Sequence, residues 1–330
     1  MSVERILNFA EIETGLFMLK KLSKGKMELQ ILGHSHERRP LYAALIGYGD
    51  TRIWLQGRVH GNEPYGAEAS LDILSNLVLD KKENEETLSK VTLMVIPCYN
   101  PDGSERNWRS NALGMDLNRQ WGHLGIFNKM AAEWGIEVPP IASEMFMNSV
   151  ESQHYWYAWA NFKPHYVIDY HHEDQNYCSS DTNKPATIAI TTPGNPTFHT
   201  KQDLRISREN SQLAIIAYDA VNELNYCKPT RYPLPDRAFP QGMGAGVTVG
   251  VPGPKGEESG WASSCVYFEN MPALKGPLSG EDSIQQFVVG GWGVINAVVS
   301  GKLNEADPER FWDKNKIPVM VECSDNTLGK

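Results

Sequence analysis

Two stretches of this 330-residue chain set metal-binding side chains where an apolar run stops. His60-Gly61-Asn62-Glu63-Pro64 follows the run 52–59 and precedes Gly66-Ala67-Glu68-Ala69, which opens a helical pattern. An imidazole and a carboxylate three residues apart at a strand end can turn toward one point and share a Zn²⁺. Alone, the pair also fits a turn histidine followed by a glutamate favoured at a helix N-terminus. The second stretch, 166–174, is an apolar strand that delivers His171 and His172 at its carboxyl end, where open α/β sheets bind ligands. His171 lies 171 − 63 = 108 residues after Glu63, the layout of a local pair joined by a distant third ligand.

Further charge gathers near these ends. Asn100-Pro101-Asp102-Gly103 is a turn directly after the run 91–96, and Asp116-Leu117-Asn118-Arg119 follows, with Arg106 and Arg109 between them. Arginines on loops leaving the same sheet edge bring fixed positive charge to a metal, and can grip a carboxylate bidentately or stabilise an oxyanion. Val266-Tyr267-Phe268-Glu269 ends an apolar strand on a lone acid. A carboxylate there must be paired, solvated or functional.

Taken in order, His60-x-x-Glu63, Asn100-Pro101-Asp102-Gly103, Arg109-Ser-Asn-Ala-x-Gly-x-Asp116-Leu-Asn118-Arg119, Asp169-x-His171 and Phe268-Glu269 resemble the zinc metallocarboxypeptidases of the carboxypeptidase A type. The segment Ile31-Leu-Gly-His-Ser-His-Glu-Arg-Arg-Pro-Leu41 is similar to that family's Gly-x-Ser-x-x-Gly-Arg-Pro, and the resemblance covers about residues 25–300. It implies one Zn²⁺ per chain held by His60, Glu63 and His171, with a fourth position for water. It implies Glu269 as the general base that deprotonates this water and passes the proton to the leaving amine. By the same resemblance Arg109 stabilises the oxyanion with zinc, and Asn118 and Arg119 grip the terminal carboxylate of a peptide substrate. Asp116 would accept the second ring N–H of His60.

The chain departs from the family in places. Arg38 stands where the family has glycine, and His172 where a serine often follows the third ligand; the Asp-x-His pattern selects His171. Arg106 competes with Arg109 as oxyanion donor, but Arg109 fits the Ser-Asn-Ala-x-Gly spacing. The family's mobile tyrosine has no counterpart in 242–253, which leaves Tyr232 as the nearest upstream candidate for substrate binding. The segment 232–261 is expected to line the pocket for the last side chain, with Asp236, Arg237, Lys255, Glu257 and Glu258 read as solvated charges. An inward Lys255 would instead favour an acidic terminal residue. A related reading is a peptidase of cell-wall (murein) peptides that releases a terminal diaminopimelate or a γ-linked residue. A reading of another class is a non-catalytic binding domain on the same fold, whose mark would be loss of a ligand or the base; every such position is filled.

These side chains need a sheet to carry them. Apolar, β-branched runs predict strands at 41–48, 52–59, 91–96, 166–170, 187–191 and 263–268, alternating with helical patterns at 12–22, 67–79, 204–224 and 284–299. Alternation of this kind signals an α/β layer architecture. The resemblance implies a mixed, mostly parallel eight-stranded sheet flanked by helices on both faces. The chain reads as a single catalytic domain, 1–330, with its core at about 25–300 and a C-terminal extension at about 301–330. Gly- and Pro-rich stretches at 122–140 and 227–260 read as long loops.

Composition narrows the partners. With 31 Lys+Arg against 40 Asp+Glu the formal charge is −9, and basic runs do not exceed pairs such as Lys20-Lys21. Nucleic acid and anionic membranes are therefore excluded as expected partners. The weakly polar stretch 287–301 is too short and too broken by glycines and Asn296 to span a bilayer. The amino terminus shows no basic-then-apolar signal pattern, so the expected compartment is the cytoplasm, or outside it if a signal peptide has been removed. Five cysteines without Cys-x-x-Cys spacing are expected to be reduced, structural thiols.

Overall fold

The computed structural model describes residues 6–79, 81–121, 147–173, 177–193, 204–233, 242–271 and 278–323. Helix α1 (Phe9–Leu22) starts from a capping box: Asn8 Oδ1 accepts the Glu11 N–H and Glu11 Oε2 accepts the Asn8 N–H, each at 3.0 Å. The exchange satisfies two N–H groups that a helix start leaves open. Ile12, Leu16 and Leu19 recur on one face and are buried.

The main sheet holds β1 (Met27–His34), β2 (Pro40–Gly47), β3 (Thr51–Gly57), β4 (Val91–Ile96), β5 (Tyr166–His172), β7 (Ile188–Thr191), β8 (Pro229–Arg231) and β9 (Ser264–Asn270), in the order β1-β2-β4-β3-β5-β9-β7-β8. Strands β4, β3, β5 and β9 run parallel to one another, so their carboxyl ends share one edge. Strands β1 and β2 on one flank, and β7 against β9 on the other, are antiparallel, while β8 pairs parallel with β7. The central strands are apolar on both faces because helices cover both.

On one face, α1, α2 (Gly66–Leu77), α6 (Leu204–Asn222) and α8 (Gly280–Ser300) pack over Ile53, Leu55, Ile168 and Phe268. On the other, α5 (Val150–Phe162) and α7 (Gly242–Val249) pack over Trp54, Val167 and Tyr267. Helix α3 (Lys82–Lys90), whose Leu88 joins the first of these cores, leads into β4, and α4 (Pro101–Arg106) follows it. The mixed, mostly parallel eight-stranded sheet with helices on both faces that the resemblance implies is the one found.

Two local expectations change. The stretch 227–260, expected as a loop, contains β8 and α7 among its described residues. Helix α7 reads Gly-Met-Gly-Ala-Gly-Val-Thr-Val, and glycine disfavours a helix interior. Tertiary packing overrides that preference: a Cβ on Gly244 would lie 2.1 Å from the Tyr267 hydroxyl, so only glycine admits this ring. The expected loop at 122–140 lies outside the described residues. The second change concerns the thiols. Cys178 and Cys323 form a disulfide that joins β6 (Tyr177–Ser179) to β10 (Met320–Glu322), while Cys98, Cys227 and Cys265 are free. Two segments 145 residues apart in sequence meet there, a proximity that cysteine spacing alone does not reveal. Among the described residues, no helix is long and apolar enough to cross a membrane.

Candidate active site and metal centre

The site is built where β3, β5 and β9 end. Past Gly57 the chain turns through Arg58, which adopts φ 56°, and delivers His60 and Glu63 before α2 begins. This turn is held from several sides. Gly57 O accepts the Tyr99 N–H and Arg58 O accepts the Asn100 N–H, each at 3.1 Å, while the Gly61 N–H reaches Arg109 O at 3.3 Å. Gly61 packs so closely on α4 that a Cβ there would lie 2.0 Å from the Gly103 carbonyl carbon. Glycine at 61 is therefore a packing requirement. The turn predicted at 100–103 is the start of α4, with Asn100 Oδ1 capping the Gly103 N–H at 2.9 Å and Pro101 in the first turn.

Alternation along β5 puts Asp169 and His171 on one face, and β9 puts Tyr267 and Glu269 beside them. The parallel register sets His171 opposite Glu269 and Asp169 opposite Tyr267. His60, Glu63 and His171 converge as a consequence. Glu63 Oε1 lies 2.6 Å from His60 Nδ1, and Glu63 Oε2 lies 3.1 Å from His171 Nδ1. All three side chains are buried, and their ligand atoms lie within 4.8 Å of one another.

Each imidazole is backed by a carboxylate on its far nitrogen. His60 Nε2 is 3.1 Å from Asp116 Oδ1, and His171 Nε2 is 3.1 Å from Asp169 Oδ2. Asp116 is the partner the sequence suggested; Asp169 was given no role of its own. Period two on β5 was the signal for it, since a fully buried aspartate two residues before His171 must share its face. Two imidazole nitrogens, one carboxylate oxygen and a carboxylate behind each ring form a donor set suited to zinc. A divalent cation would also neutralise the carboxylates that meet here.

The electrostatics follow from burial and neighbours. Burial alone would raise the Glu63 pKa, but His60 and His171 outweigh it and hold this carboxyl well below the usual range. Partial burial likewise acts to raise Asp116, and His60, Arg109 and Arg119 overcome it, leaving it low. Glu269 goes the other way. Burial pushes it up to about 8, opposed by His171 and reinforced by Glu63, Glu173 and Asp169. A nearby carboxyl with a raised pKa is suited to take up a proton near neutral pH.

Arg109 lies beside the cluster: its Nε donates to Asp116 Oδ2 at 3.0 Å and its Nη1 lies 3.5 Å from Glu63 Oε1. Arg106, the competing arginine, pairs instead with Glu37 on the surface. Asn118 and Arg119 sit in a short 3₁₀ turn, Leu117–Arg119, capped by Asp116. Asn118 Oδ1 accepts the Met243 N–H at 2.9 Å, which ties this turn to the start of α7 and leaves the Nδ2 hydrogens as the donors it can offer. Arg119 Nε is buried and has no hydrogen-bond partner among the described residues. A buried guanidinium N–H without an acceptor suits an incoming anion.

The remaining candidates are placed as follows. Tyr232 follows β8, and its hydroxyl donates to Glu173 Oε2 at 3.2 Å; burial, reinforced by Glu269 and Glu173, pushes its pKa up. His172 points away from the cluster: its ring stacks on Tyr65 at 5.4 Å, and burial pushes its pKa down to about 4. The choice of His171 over His172 therefore agrees with the convergence seen here. Lys255 is exposed in a turn where its N–H reaches Glu257 Oε2, so it does not supply an inward positive charge. Asp236 and Arg237 lie outside the described residues. Arg38, where glycine was expected, takes φ 68°, the left-handed conformation that glycine would supply without strain.

Comparison with known proteins agrees with this geometry. A family model of zinc carboxypeptidases matches residues 15–224. Over 120 residues the chain is 35% identical to Carboxypeptidase 2 of Trichophyton rubrum, a stretch that is 36% of this chain and 18% of that protein. The chain thus matches less than a fifth of that relative's length. Its fold is similar to that of carboxypeptidase A from Helicoverpa armigera, with a TM-score of 0.63, 19% identity, and 93% of this chain and 75% of that one covered. It is likewise similar to bovine thrombin-activatable fibrinolysis inhibitor, solved in complex with tick carboxypeptidase inhibitor, with a TM-score of 0.62, 17% identity, and 92% and 98% covered. Because the family model covers more than half of the chain and its residues carry a buried His-Glu-His cluster at the carboxyl edge of this sheet, the chain belongs to the zinc carboxypeptidase family.

Proposed function

We propose that this chain removes the carboxyl-terminal residue from peptides by zinc-assisted hydrolysis. The observation that carries the reading is the buried His60-Glu63-His171 cluster with Glu269 opposite His171 in the β5–β9 ladder. His60, Glu63 and His171 would hold one zinc ion through Nδ1, carboxylate oxygen and Nδ1. When bound, zinc supplies Lewis acidity, polarising the scissile carbonyl and lowering the pKa of water. Asp116 and Asp169 orient the two imidazoles from behind.

The chain's own groups divide the remaining work. Glu269 takes a proton from the attacking water and returns it to the departing amine. Arg109, within 3.5 Å of Glu63 Oε1, meets the negative charge that develops on the carbonyl oxygen. Arg119 and the amide of Asn118 bind the substrate's terminal carboxylate, which restricts cleavage to the last peptide bond. Tyr232, hydrogen-bonded to Glu173, lies on the Glu269 side and would contact the substrate ahead of the scissile bond. Filled ligand and base positions speak against a binding domain without catalysis.

The Cys178–Cys323 disulfide supports an oxidising compartment for the protein, in place of the reducing cytoplasm first expected. The proposed activity is tested by digesting a peptide library with zinc present and then chelated, with products read by mass spectrometry. Single-residue losses from the carboxyl end support it; internal cleavage or no cleavage with zinc present overturns it.

A further inference from the structure

A buried arginine stands next to the metal cluster and takes no part in the proposed chemistry. Arg58 is 2% exposed and sits at φ 56°, a backbone conformation that glycine adopts without strain. Keeping a long cationic side chain there calls for a reason in its contacts. Its Nε donates to Gly61 O at 3.1 Å, inside the turn between His60 and Glu63. Its Nη1 donates to Leu7 O at 2.5 Å, on the segment that leads into α1.

The same Leu7 peptide segment is held by a second buried charge. Glu68, on the first turn of α2 and 3% exposed, accepts the Leu7 N–H at 2.8 Å, and its carboxylate interacts electrostatically with Arg58. Two residues on, the Phe9 N–H donates to Glu105 Oε1 on α4 at 2.8 Å. Residues 7–9 thus lie across three elements that surround the cluster: the His60 turn, α2 and α4. Arg58 joins this strap to the metal-ligand turn through one planar guanidinium, whose fork can reach two carbonyls at once.

The geometry points to Arg58 as a positioning residue for the metal centre, locked in place by the Leu7–Phe9 strap. It touches neither the ligand atoms nor the substrate groups; it fixes the Gly61 carbonyl and so the directions in which His60 and Glu63 leave the turn. This inference rests on the proposed zinc site. Groups one step removed from a metal typically change its affinity by about 10- to 100-fold when lost.

The test uses Arg58→Gly, because glycine fits φ 56° and removes the side chain without adding backbone strain. Zinc affinity is measured by competition with a chromophoric chelator, and hydrogen exchange of residues 57–64 is followed in the metal-free protein. Arg58→Gly should weaken zinc binding about 10- to 100-fold and speed exchange in this turn, with unchanged far-UV circular dichroism. Leu7→Pro, which removes the N–H that Glu68 accepts along with the Leu7 side chain that packs on the core, should move both readouts in the same direction. Arg58→Lys keeps the charge without the fork and should fail to restore affinity. Parent protein that binds zinc no more tightly than Arg58→Gly, within twofold, with equal exchange of 57–64, overturns the positioning role and leaves the zinc site standing. A parent protein that binds no zinc overturns both.

Discussion

His171 and Glu269 face each other in the parallel β5–β9 ladder, one at the carboxyl end of each strand. The pairing sets the proposed ligand imidazole beside the proposed base through backbone hydrogen bonds instead of flexible loops. Burial raises the Glu269 pKa to about 8, while the neighbouring His171 works against that rise. Base and ligand can therefore be separated by mutation, because each acts through its own side chain on a shared scaffold.

Glu269→Gln should keep one zinc per chain and lower kcat by about 10²- to 10⁴-fold, the range spanned by positioned acid–base groups. Metal content by elemental analysis and steady-state kinetics check the two halves. Turnover close to that of the parent would remove Glu269 from the base role.

The two adjacent histidines should fail differently. His171→Ala is expected to lose zinc affinity by more than the 10- to 100-fold typical of supporting residues. His172→Ala removes a buried ring stacked on Tyr65 and should cost about 2–4 kcal/mol of stability with zinc affinity near that of the parent. Zinc titration and denaturant unfolding of the two variants distinguish them; the opposite pattern would exchange their assignments.

Arg119→Ala should raise KM for peptides with a free terminal carboxylate by about 10- to 100-fold, equivalent to about 1.5–3 kcal/mol for a hydrogen bond to a charged group. Arg119 Nε, buried and without a described partner, is the donor this prediction rests on. Kinetics on a matched series of free-acid peptides measure it, and an unchanged KM would place the carboxylate elsewhere.

Glu68 gives the fold a pH dependence of definite sign. Burial raises its pKa above the ordinary glutamate value of 4.5, against the opposing effects of the Leu7 N–H and Arg58. A carboxyl whose folded pKa exceeds its unfolded one contributes stability that is complete below 4.5 and is lost as pH rises through the folded value. Unfolding free energies of the metal-free protein from acid pH upward, compared with Glu68→Gln, should show the parent losing stability relative to the variant. A constant difference across that window would rule this contribution out.

The disulfide is checked by peptide mapping without reductant. Cys178 and Cys323 should be recovered linked, and Cys98, Cys227 and Cys265 alkylated after unfolding. Reduction should lower stability by about 2–4 kcal/mol, as expected for closing a long loop.

What the sequence revealed and what it concealed follows from where each signal resides. Strand β4 ends where its apolar run ends, and the candidates His60, His171 and Glu269 stand out because each lies at or just past the end of an apolar strand, with Glu63 in the turn after His60. Helix α5 was missed: Tyr155, Trp156 and Trp159 are buried among His154, Gln153 and Tyr157, a pattern whose apolar stripe is weak. Edge strand β1 was missed because its residues are mostly half-exposed, which blurs the alternation. Helix α7 contradicts local propensity, and only the close approach of Tyr267 explains its glycines. Arg58 and Glu68 are buried charges that reach the Leu7 peptide segment far away in sequence, so their contacts emerge only once the chain is folded.

The decisive measurement follows one defined peptide, as free acid and as carboxyl-terminal amide, by mass spectrometry after metal removal and after zinc is restored. Loss of the last residue from the free acid alone, abolished by chelation and regained with zinc, is the expected result. Cleavage that persists without metal, or that proceeds equally on the amide, would contradict a zinc carboxypeptidase acting through Arg119 and Glu269.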